Sequence, residues 1–64
     1  MRKGEALLLM NMLASEFGYQ LVWIKFPDEK NADALRLENS EGDIGEFMGT
    51  EKCEQAVKWL REKA

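Results

Sequence analysis

The side chains in this sequence that could do chemistry are few. There is one cysteine, Cys53, one tyrosine, two tryptophans and a scatter of charged groups, and there is no histidine. Histidine is the commonest acid–base group near neutral pH, so Ser15, Ser40, Thr50 and Cys53 have no imidazole to activate them. The glycine-rich loops that cradle phosphates are missing as well. No enzymatic activity is expected.

Cys53 falls near the start of a predicted helix, where the dipole favours a thiolate. It also lies on the apolar stripe of Ala56, Val57 and Leu60, and free cysteine is among the most buried residue types. A core position is the stronger reading. Asp28, Glu29, Asp33 and the run from Glu38 to Asp43 are rich in oxygen ligands. However, Asn39-x-Glu41-Gly42 does not meet the spacing of a calcium loop. One cysteine without histidine also makes a Cys/His zinc site nearly impossible. Neither metal nor cofactor is expected.

The elements that position these groups follow from periodicity. Ala6, Leu9, Met10, Leu13 and Phe17 define one face of a helix from about Lys3 to Phe17, which Gly18 ends. Leu8 and Met12 lie on one flank of that face, Leu7 and Ala14 on the other, so the apolar stripe is wider than a two-layer domain needs. Tyr19 to Phe26 reads as a strand closed by Pro27. Asp28 to Asp33 is a polar connection, and Ala34 to Glu38 a second strand. Asn39 to Gly42 form a turn, and Asp43 to Met48 a third, weaker strand in which Gly45 marks a bulge or a close backbone approach. Thr50 is the expected N-cap of a second helix, with Glu51 and Glu54 at its positive end. Trp59 falls about 100° from the centre of that helix's buried face, at the edge of the core or beyond.

The order helix–three antiparallel strands–helix predicts a single α+β domain over residues 1–64, αβββα, with both helices on one sheet face. The chain has 64 residues and a net charge of −3. A domain this short buries only about 60% of the surface its unfolded chain exposes, and self-association is the remaining common remedy once disulfides and metals are excluded. A homo-oligomer is therefore expected, with Leu8, Met12, Leu21 and Trp59 in its interface.

Alternation along the first strand places Val22, Ile24 and Phe26 towards the helices. Tyr19, Leu21, Trp23 and Lys25 then point outward with Arg36, although a slip of one residue would exchange the two sets. Tyr19, Trp23, Lys25 and Arg36 form the candidate binding set, aromatic rings flanked by cations. Their expected target is a protein surface, including another copy. The alternative is a nucleotide-like anionic small molecule at a subunit junction. Residues 28–54 hold nine acids against three bases. The acidic balance argues against nucleic acid as a partner, because affinity there depends on many phosphate contacts.

Met1-Arg2-Lys3 ahead of a short apolar run resembles the start of an export signal. Glu5 and Asn11 interrupt that run, and no small-x-small cleavage site follows. No apolar stretch approaches the ~20 residues of a membrane span. A cytoplasmic protein is expected.

Overall fold

The computed structural model describes residues 2–26 and 33–63. The chain runs α1 (Lys3–Phe17), β1 (Gln20–Lys25), β2 (Asp33–Glu38), β3 (Ile44–Met48) and α2 (Lys52–Arg61). The strands form one antiparallel sheet in the order β1-β2-β3. Both helices cover the same face of it, giving the αβββα arrangement. The polar connection expected after Phe26, with Asp28 and Glu29, lies outside the described residues, and Asp33 is the first residue of β2.

α1 ends at Gly18, whose φ of 78° is the left-handed conformation that glycine adopts without steric cost. The Gly18 and Tyr19 amides donate back to the carbonyls of Ser15 and Ala14, which sets where the chain enters the sheet. Between β2 and β3 the Asn39 side-chain oxygen accepts bonds from the amides of Glu41 and Asp43, at 3.0 and 2.9 Å, so one side chain organises the turn. Ahead of α2 the turn is made by Gly49, at φ 96°. This moves the helix start one residue beyond expectation. Glu51, not Thr50, takes the N-cap position, and it makes no side-chain capping bond.

Among the described residues the largest fully buried side chains are Met10, Leu35, Leu37, Val57 and Leu60. Alanines fill much of the remaining interior, at Ala6, Ala14, Ala34 and Ala56. Small residues on the facing surfaces of α1 and α2 let the two helices pack closely, while α2 lies on β2 and β3.

The register corrects the face expected for β1. Leu21 lies opposite Leu37, and Trp23 opposite Leu35. Directly paired residues share a sheet face, and Leu35 and Leu37 are fully buried under the helices. Tyr19, Leu21, Trp23 and Lys25 therefore belong to the helix side, and Val22 and Ile24 to the other. Both alternating sets are apolar, so hydrophobicity alone did not distinguish them. The Gly18 cap and the packing of Tyr19 on Trp59 favour the observed phase.

β3 pairs with β2 without interruption from Ile44 to Met48, so Gly45 is not a bulge. It is a close approach. A β-carbon there would stand 3.0 Å from two carbons of the Trp59 ring and 3.1 Å from Phe47.

Candidate functional site: the uncovered sheet face

The face of the sheet away from the helices has no cover among the described residues. The register arranges it in three rows across the strands: Gln20–Glu38–Ile44, Val22–Arg36–Glu46 and Ile24–Ala34–Met48. Ile44 and Met48 are more than half exposed, at 52% and 57%. Val22 and Ile24 are half-buried by their neighbours alone. Ala34 is buried despite facing out, flanked by Ile24 and Met48.

Arg36 occupies the middle of the central strand. Its Nη2 donates to Glu46 Oε1 at 2.9 Å, across the β2–β3 pair. Its Nε is shielded from solvent and has no hydrogen-bond partner. An unsatisfied donor of this kind costs roughly 1–3 kcal/mol.

The structure divides the candidate binding set. Arg36 points outward as expected, but Tyr19, Trp23 and Lys25 lie on the opposite side of the sheet. Tyr19 turns its ring onto Trp59, 5.2 Å between centroids in an edge-on arrangement, and its hydroxyl donates to Asp43. Lys63 pairs with the same carboxylate at 3.0 Å and stands 4.4 Å above the Trp59 ring. The hydrogen bond to Asp43, then burial, then the neighbouring negative charge push the Tyr19 hydroxyl up to about 12. The bonds from Tyr19 and Lys63 hold the Asp43 carboxyl below its ordinary range. This group ties the β2–β3 turn and the start of β1 to the end of α2.

Of the expected interface residues, Leu8 and Met12 are exposed on α1, 63% and 60% respectively. Leu21 is partly buried and packs against the core, a consequence of the corrected face. Trp59 is likewise half-buried, at the core's edge. Among the described residues its ring partners are Tyr19, Phe47 and Lys63, none of them on the Leu8–Met12 side of α1. Cys53 is partly buried against the core.

Trp23 and Leu7 line an open cleft of about 840 Å³ at the start of α2, with Cys53 and the Lys52–Asp33 ion pair beside them. No group of three metal-ligating side chains comes together among the described residues. No described helix is long and apolar enough to cross a membrane.

No family model, curated protein or solved structure matches this chain. What it does must be argued from the surfaces themselves.

The contributions of Ile44, Glu46 and Met48 to the uncovered face were missed in the sequence, though a signal existed. Once Leu35 and Leu37 are taken as core, Arg36 faces outward. Alternation on β3 then presents residues 44, 46 and 48 beside it, because Gly45 and Phe47 must face the helices.

Proposed function

We propose that this chain is a small non-enzymatic binding protein that self-associates and acts by occupying a protein surface, using its uncovered sheet face. One observation carries the reading. Among the described residues seven large hydrophobic side chains are exposed (Leu7, Leu8, Met12, Trp23, Phe26, Ile44 and Met48), against five large ones fully buried. Apolar groups scattered singly on a surface need no explanation, but contiguous ones do. Here Ile24, Ala34 and Met48 form one apolar row across the uncovered face, with Val22 next to Ile24 along β1.

A nucleotide-like anion has less to recommend it, since the sheet separates Arg36 from Trp23 and Lys25. A cytoplasmic location accords with a single unpaired thiol at Cys53.

Sedimentation over a concentration series tests the proposal. The natural chain should gain mass with concentration, and Ile44→Lys or Met48→Lys should hold it as a folded monomer. A chain that stays monomeric throughout defeats the self-association reading.

A further inference from the structure

Resting on that reading, we infer that the self-association is a two-fold, sheet-on-sheet dimer in which Arg36 of each copy reaches Glu46 of the other. The occupant of the uncovered face is a second copy of this chain, and two features of the face select it.

The first is charge. At the centre of the face stand one cation and one anion, Arg36 and Glu46, side by side in the same cross-strand row. Two-fold interfaces are self-complementary: if residue i meets residue j, then j meets i. Consider a two-fold axis running along the strands between β2 and β3. It brings β2 of one copy over β3 of the other, so Arg36 faces Glu46 of the second copy and Glu46 faces Arg36 of the second copy. The same operation sets Met48 over Ala34 of the second copy, a large side chain against a small one, and leaves β1 at the margin of the overlap. Four charges then form a closed ring in which every group has an opposite neighbour. Arg36 has donors for this, since among the described residues its only hydrogen bond is to Glu46 through Nη2. A guanidinium presents five N–H donors in a fixed fork and is suited to bridging two carboxylates. A foreign partner would need to supply the same alternation; a second copy has it by construction.

The second is register: the cross-strand Arg36–Glu46 pair fixes how a second copy must sit on this face. The exposed Leu8–Met12 side of α1 has no opposed charge pair to set one.

Charge reversal with exchange tests the inference on the full chain. Arg36→Glu and Glu46→Arg, each alone, place like charges across the two-fold and should weaken dimerisation by about tenfold or more. Mixed in equal amounts, the two variants should form a heterodimer, seen by native mass spectrometry, because every acid again faces a base. Circular dichroism checks that each variant is folded. Should either reversed variant fail that check, Arg36→Gln and Glu46→Gln replace the pair; each should then weaken dimerisation, and mixing should restore one of the two cross-copy ion pairs and part of the affinity. If the natural chain dimerises but the single variants do so equally well, or the reversed variants fail to recover on mixing, the Arg36–Glu46 exchange is overturned while self-association stands. If the natural chain is monomeric at every concentration, both fall.

Discussion

Gly45 lies against the indole of Trp59, and a methyl group there would stand 3.0 Å from two ring carbons, so the ring would have to give by a few tenths of an ångström. The ring it admits is held edge-on by Tyr19 and by Phe47, whose centroid is 5.8 Å away. Gly45→Ala should therefore destabilise the fold by about 1–3 kcal/mol, as overpacking of a filled site does. Urea unfolding measures this. Trp59→Leu should cost stability by itself, yet in that background the alanine penalty should shrink, because the two sites are in contact. An unchanged penalty in the double variant would show that the ring is not the obstacle.

Tyr19 is the chain's only tyrosine, so phenolate absorbance reports it alone. Its hydroxyl should titrate near 12, against an ordinary 10.0, chiefly because it donates to Asp43. A phenol with a raised value stabilises the fold below its ordinary pKa, and that stabilisation is lost as pH climbs from 10 towards 12. Asp43→Asn removes both the strongest acceptor and the nearby charge. The midpoint should then fall back towards 10.

The acid side has the opposite sign. Asp43 is held below its ordinary 3.8 by bonds from Tyr19 and Lys63, so its ionised form favours the folded state. This contribution is complete well above pH 3.8 and fades as pH falls through the depressed value. Trp59 fluorescence, read in a Trp23→Phe background, should change in that acidic range. The change should be absent in Asp43→Asn.

Asn39→Ala deletes the acceptor that organises the β2–β3 turn. It leaves the amides of Glu41 and Asp43 without their side-chain partner. A loss of about 1–2 kcal/mol is expected for two such bonds at a partly exposed turn. Asn39→Asp keeps the oxygen and should retain most of the stability. Equal losses in both variants would refute this assignment.

Leu8→Gln and Met12→Gln should alter stability by no more than about 0.5 kcal/mol, since both side chains lie outside the core. They should also leave dimerisation unchanged if the sheet face is the interface. Sedimentation of these variants beside Met48→Lys distinguishes the two apolar surfaces.

The architecture was legible because its signals are local. Helical spacing and Gly18 bound α1, turn chemistry at Asn39 to Gly42 separates β2 from β3, and the stripe of Ala56, Val57 and Leu60 marks α2. The phase of β1 was not legible. Leu21 and Trp23 on one side, and Val22 and Ile24 on the other, are equally apolar, and the choice depends on partners distant in sequence: Leu35, Leu37 and Trp59. The candidate site inherited that ambiguity. Arg36 was placed correctly because Leu35 and Leu37 leave it only one side, whereas Tyr19, Trp23 and Lys25 were assigned to the wrong one.

The sheet order leaves β1 and β3 as free borders, and this limits how copies can assemble. A copy hydrogen-bonded along either border carries an unused border of its own, so growth in that direction has no natural stopping point. Stacking face to face ends at two, because each copy has a single bare face to offer. Residues such as Gln20 and Lys25 at the ends of β1 are then the guards against fibres, and replacing them with apolar side chains should turn a finite particle into an open-ended one.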